Sequence, residues 1–313
     1  MKEQIRTLEK HNLPENWKSK VLFIDEVFGA DEEWMKEFES IYPKEIGLPF
    51  LMETLPHKNM LGEKTLDMLV NSGVDTINFG IQTGSDYIRN KILGRPTKNK
   101  EIVRISKEIV KRGITIRNDL IAGNPYETEE TLKETIKLLL QLPKPLSFNL
   151  FRLQWFPDYP LTKRAIKDGI ITEEDATVEA LAKTTTNDWA FVPKGPLNDK
   201  NNLLANIIWL IVWHHVSDNS AKYAVFGNSI TAKTYFYCLN IKAIFLGKLV
   251  GVGGLSSRNA WMARIIEGLG LVARGEMKDL MRKVRVVLFK YLRARSGQPQ
   301  AVLEHSGYHK MQN

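Results

Sequence analysis

The chain has 313 residues, with 44 Lys+Arg against 36 Asp+Glu, a formal net charge of +8, and it is 43% hydrophobic and 26% charged. This composition belongs to a folded globular protein and excludes a disordered chain, a collagen-like fibre and a polytopic membrane protein. The length fits two domains, or one large α/β domain with an appendage.

Up to about residue 170 two patterns alternate. Short β-rich runs occur at Val21–Ile24, Leu48–Met52, Thr76–Ile81, Ile114–Ile121 and Leu146–Leu153. Helical spacing fills the gaps between them: Trp34 with Phe38, Leu66 with Leu69, the stripe Ile102, Ile105, Ile109, and the stripe Leu132, Ile136, Leu140. Gly73 and Gly113 follow two of these helices, where a left-handed residue is expected. Thr128, followed by Glu129 and Glu130, reads as the N-terminus of the fourth helix. Strand, helix and strand with short connections predict βαβ units and a parallel sheet, either doubly wound or part of a (β/α) barrel. Both collect ligands at the C-terminal ends of their strands.

Those ends carry the chemistry. The first run leads into Asp25 and Glu26, the third into Gln82-Thr83-Gly84-Ser85, and the fourth spans Asp119 to Gly123 and continues to Glu127. Gly80 and Gly84 flank Gln82, so a ligand could approach the backbone there while Gln82 and Ser85 hydrogen-bond to it. The plain alternative for Gln82 to Ser85 is a strand-to-helix turn with a capping residue.

Beyond residue 172 the alternation stops. Leu203–Trp213 is an apolar run interrupted by Asn206, and Tyr235–Leu255 is interrupted by Asn240, Lys242 and Lys248. Both read as buried helices rather than membrane spans. Between Arg274 and Arg295 lie eight basic residues and two acidic ones. Met277, Leu280, Met281, Val284, Leu288 and Tyr291 form an apolar stripe there, the pattern of a basic amphipathic helix that rests on the second domain or on an anionic membrane. Concentrated in one segment, this charge gives no reason to expect nucleic acid as a partner. The opening twenty residues lack the apolar core of a signal peptide, so a cytoplasmic location is expected, with peripheral membrane contact. The histidine pairs His214 with His215 and His305 with His309 are poor metal-ligand candidates.

Four stretches carry a family resemblance: VLFIDEVF from Val21, NFGIQTGSDYIRNKILGRP from Asn78, DLIAGNPYETEETLKETI from Asp119, and FPDYPLTKRAIKDG from Phe156. In this order and spacing, residues 17–170 resemble the radical S-adenosylmethionine superfamily, in the branch often joined to a cobalamin-binding domain. The resemblance implies a partial (β/α)6 TIM-like barrel, strands 2–6, over residues 1–171, followed by a mainly helical region over 172–313. It implies a pocket for S-adenosylmethionine lined by Asp25, Glu26, Gln82, Thr83, Gly84, Ser85, Asp119 and Gly123, in which Asp25 and Glu26 meet the methionine ammonium. Family chemistry is reductive cleavage of S-adenosylmethionine to a 5′-deoxyadenosyl radical by a 4Fe-4S cluster, acting on a small-molecule or lipid-like substrate.

The departure from the family lies in the ligands for that cluster. Three cysteines of a CxxxCxxC loop hold it in the family, and thiolates are what such a cluster requires. This chain has one cysteine, Cys238. The expectation is therefore a chain inactive alone, its cluster loop supplied by an N-terminal half or a partner. The alternative is a non-catalytic binding or assembly protein that uses its C-terminal helix against a partner or membrane.

Overall fold

The computed structural model describes residues 20–251, apart from 26, 145–146 and 184–189. Glu26, the basic stretch from Arg274 to Arg295, and His305 and His309 lie outside the described residues.

The strands are β1 (Val21–Phe23), β2 (Phe50–Thr54), β3 (Val74–Gln82), β4 (Thr115–Ala122) and β5 (Phe148–Arg152). Between them run α1 (Glu32–Glu45), α2 (Glu63–Asn71), α3 (Asn99–Lys111) and α4 (Glu129–Leu139). One sheet contains all five strands in the order β1-β2-β3-β4-β5. A doubly wound sheet reverses its order at a switch point; sequential order with a helix in every crossover is barrel topology. The fold is thus α/β, with the strand sequence of a partial (β/α) barrel. After β5 come α5 (Pro160–Lys167), α6 (Val178–Ala182), α7 (Lys200–Val212), α8 (Asp218–Phe226) and α9 (Ile230–Gly251). Two compact units divide the chain: Met1–Ile81 with Thr97–Asn118, and Gln82–Pro96 with Asp119–Asn313.

In the first unit β1 pairs with β2 and β2 with β3, both parallel. Asp31 caps α1 by accepting the Trp34 N–H at 2.7 Å, and Glu32 and Glu33 sit on the positive end of the helix. Phe23, Phe28, Phe38, Tyr42 and Phe50 form an aromatic cluster that packs α1 on the sheet. The buried line of α1 includes Met35 and Tyr42, whereas Trp34 stacks on Phe38 from a half-exposed position. Ile102, Ile105 and Ile109 are fully buried on α3. Gly73 and Gly113 have φ of +90° and +77°, the left-handed backbone that a side chain would strain.

In the second unit Thr128 caps α4 in a reciprocal capping box with Thr131. Every residue of α7 from Leu203 to Val212 is buried. Asn206 is tolerated there because its amide is fully used. It accepts from Lys194 N at 3.2 Å, and donates to Lys194 O and to Asn240 Oδ1 of α9, each at 3.1 Å. Helices α8 and α9 complete the layer around α7. Among the described residues no helix is long and apolar enough to cross a membrane.

Candidate functional site

Side chains alternate across a strand, so each face can be identified from its contacts. In the first unit the Phe23 and Phe50 rings meet at 5.4 Å within the aromatic cluster, which marks the helix side of β1 and β2. Glu53, of opposite parity to Phe50, stands on the other side. It lies in register with Asn78 of β3 and accepts from its Nδ2 at 3.0 Å. On that face the Glu53–Asn78 pair places polar groups beside Leu22 and Leu51. Asp25 is exposed, two residues past the end of β1.

The second unit contains the other described site residues. Asp119 on β4 is half-buried, and its Oδ1 accepts from Asn149 Nδ2 of β5 at 2.7 Å. Leu153 N donates to Ala122 O at 3.2 Å and keeps these two strand ends together. Gly123 follows with φ +74° and is exposed; the nearest atom to an added Cβ would be Arg152 Cγ, 4.0 Å away. The backbone here is open to a ligand.

The Gln82–Ser85 turn is held from all sides. Thr83 is buried; its hydroxyl donates to Glu127 Oε1 at 2.9 Å and lies 3.2 Å from Thr135 Oγ1 of α4. Gly84 N donates to the same Thr135 oxygen at 2.7 Å, and Ser85 N to Thr83 Oγ1 at 3.2 Å. The buried Arg89 guanidinium donates to the Thr83 carbonyl and, at 2.9 Å, to Asp86 Oδ1. Burial lowers its pKa, an effect Asp86 opposes. Gly84 lies flush against α4, so the space its side chain would take is filled by helix backbone rather than left for a ligand. Thr83 likewise faces inward. Ser85 Oγ is fully buried and has no hydrogen-bond partner among the described residues.

This clamping sustains an unfavourable backbone. Gln82 has φ +65°, left-handed for a residue with a side chain. Such outliers persist only where neighbours over-determine them, and they cluster at functional sites. Gln82→Gly is expected to raise stability by about 1 kcal/mol, read from the urea midpoint, because the substitution removes a Cβ from the left-handed region. An unchanged or lower midpoint would show that Gln82 is not strained.

Two contributors escaped the sequence reading. Asn149 is a buried polar residue at alternating parity inside an apolar run, a signal that was available. Glu127 is buried and its pKa is pushed up to about 7, chiefly by loss of solvent, with the Thr83 hydrogen bond opposing the shift. The sequence places it just past the fourth strand, but no local pattern marks it as buried.

The residues do not fit an iron–sulfur cluster. Cys238 is exposed on α9, and among the described residues no group of three or more His, Cys, Asp or Glu could hold a metal ion.

The profile of the Radical SAM superfamily matches residues 3–139. The chain is 28% identical over 99 residues to a tRNA-2-methylthio-N(6)-dimethylallyladenosine synthase of Anoxybacillus flavithermus, a match that covers 30% of this chain and 19% of that protein. The synthase of the same name from Oceanobacillus iheyensis is 29% identical over 97 residues, with the same coverage of 30% and 19%. The chain thus spans about a fifth of the length of the curated relatives it matches. Among solved structures, the cobalamin-dependent radical enzyme OxsB overlaps 93% of this chain and 50% of its own at 15% identity and a TM-score of 0.46. The radical S-adenosylmethionine methyltransferase TsrM from Kitasatospora setae overlaps 54% and 32% at 19% identity and a TM-score of 0.42. These overlaps are loose, and the assignment rests on the sequence match together with the strand order. Residues 3–139 of this chain thus match the radical SAM superfamily and carry four of the five strands of the partial barrel.

Proposed function

We propose that the strand ends of the second unit bind S-adenosylmethionine. Asp119, Gly123 and Asn149 would line the ligand, with Gln82 supplied by the clamped turn; Ser85, whose hydroxyl is fully buried, joins from the resemblance alone. The observation that carries this reading is the open, left-handed Gly123 at the end of the strand that carries the Asp119–Asn149 pair. Asp25 and Glu26 join the proposal from the resemblance alone, as partners for the methionine ammonium; Thr83 and Gly84 support the turn from behind. Radical cleavage in the family requires a reduced 4Fe-4S cluster, and these 313 residues hold one cysteine. We therefore assign the chain binding and orientation of S-adenosylmethionine, with the cluster ligands coming from another segment or subunit. Cobalamin use and a lipid-like substrate remain part of the proposal through family resemblance.

Equilibrium dialysis of the purified chain with labelled S-adenosylmethionine tests the reading. Binding is expected, and Gly123→Val and Asp119→Ala are each expected to weaken it at least about tenfold, the effect of one lost close contact or charged hydrogen bond. No binding to a chain shown to be folded by circular dichroism overturns the proposal. Incubation with iron and sulfide is expected to give neither cluster absorbance nor 5′-deoxyadenosine. Turnover by the chain alone would overturn the need for outside cysteines. Binding without turnover, even when a cysteine-bearing partner is added, would favour the non-catalytic binding protein.

A further inference from the structure

Helix α9 is apolar on the side that should be polar. It buries Ala232, Leu239, Ala243 and Leu246 in the layer it forms with α7 and α8, and the buried Asn240 meets Asn206 there. A surface helix ordinarily turns polar residues the other way. Here Ile230 is 84% exposed, Phe245 61%, Ile241 57% and Tyr237 44%. At 3.6 residues per turn these four fall within about 80° of one another, on a line about 22 Å long. Exposed Thr234 lies among them.

The charges of α9 all have one sign. Its 22 residues include Lys233, Lys242 and Lys248 and no Asp or Glu. On the helical wheel Lys233 falls on one flank of the apolar line, Lys242 on the other, and Lys248 at its C-terminal end. All three are exposed, although Lys242 Nζ also donates to the His215 carbonyl at 2.6 Å. The sequence farther on repeats the sign, with eight basic against two acidic residues between Arg274 and Arg295.

This charge selects the occupant. A second copy of the chain would set lysine against lysine, and the chain's own 274–295 segment carries the same sign. An anionic bilayer complements both features: the apolar line can enter the boundary between headgroups and acyl chains, while lysines on its flanks reach lipid phosphates. We propose that α9 lies flat on an anionic membrane surface, with Ile230, Tyr237, Ile241 and Phe245 inserted. The basic segment beyond it adds long-range attraction to the same surface. This inference does not depend on the reading of the strand-end site.

The test is co-sedimentation of the full chain with vesicles of phosphatidylcholine, with and without phosphatidylserine. Binding is expected only with phosphatidylserine, and it should weaken as salt is raised. The double variant Ile241→Ser with Phe245→Ser changes two exposed positions, so the fold should survive, as circular dichroism can confirm. Its partitioning is expected to fall at least about tenfold, since each side chain loses its apolar burial. A polarity-sensitive dye on Cys238, the sole cysteine and exposed on α9, should shift to the blue on vesicles and not in the double variant. Undiminished sedimentation of the double variant would overturn the proposal, because the basic segment would then bind by itself. So would a wild-type chain that ignores phosphatidylserine vesicles, whether it stays monomeric or forms a dimer that the double variant disperses.

Discussion

Gly84→Ala is expected to cost at least about 3 kcal/mol of stability, the upper end of what overpacking a well-filled interior does. The added Cβ would lie 2.2 Å from Thr135 Cα, 2.7 Å from Thr135 N and 2.8 Å from the Glu134 carbonyl oxygen. All three are backbone atoms of α4, which has no flexible end to swing aside. The helix is itself fixed by its capping box and by buried Leu132, Ile136 and Leu139, so relief would require moving a packed element. The hydrogen bond from Gly84 N to Thr135 would go with it. Gly123→Ala is the control: its surroundings are open, so only left-handed strain of about 1–2 kcal/mol is expected. Urea unfolding followed by far-ultraviolet circular dichroism compares them. Equal midpoints would mean that the strand-to-helix turn and α4 are not in this close contact.

Stability of the second unit is expected to fall as pH rises from about 4.5 to about 7, through Glu127. Its carboxyl has an ordinary value of 4.5 and is pushed up to about 7 by burial. Below 4.5 the group is protonated in both folded and unfolded chains, and its contribution to stability is fully present. Across the window only the unfolded chain ionises, so protons are released on unfolding and the folded state loses ground. Above about 7 the folded group ionises too, and the loss levels off. At about 1.4 kcal/mol per pH unit, the total is about 3 kcal/mol. Glu127→Gln keeps an acceptor for the Thr83 hydroxyl and adds no charge. It is expected to flatten this segment of the pH–stability curve and to raise stability at pH 8 by a similar amount. Parallel curves for the two proteins would show that Glu127 is charged and solvated.

What could be read from the sequence follows from local rules. Short β-rich runs located all five strands, and spacing near 3.6 located the four crossover helices, because burial leaves a trace in a linear pattern. The turn of Gly113 and the cap at Thr128 were equally legible, since backbone handedness and an unpaired helix N–H each demand particular residue types. Trp34 shows the limit of that reading. Its spacing from Phe38 fits a stripe, yet Met35 takes the buried position, because the face α1 turns to the sheet is set jointly with the Phe23, Phe28 and Phe50 rings it packs against.

The site divides in the same way. Chain order alone brought Gln82 to Ser85 and Gly123 to strand ends, where βαβ topology gathers ligands, and put Asp119 inside β4. Only the tertiary structure decided that Gly84 is small to admit a helix and that Thr83 faces a buried carboxyl. It also decided that Asp119 is held by Asn149, thirty residues away. Those outcomes depend on distances between segments remote in sequence, which no local pattern encodes. The outward apolar line of α9 belongs with them: a helix apolar on every side reads as core, and packing leaves one of its faces uncovered.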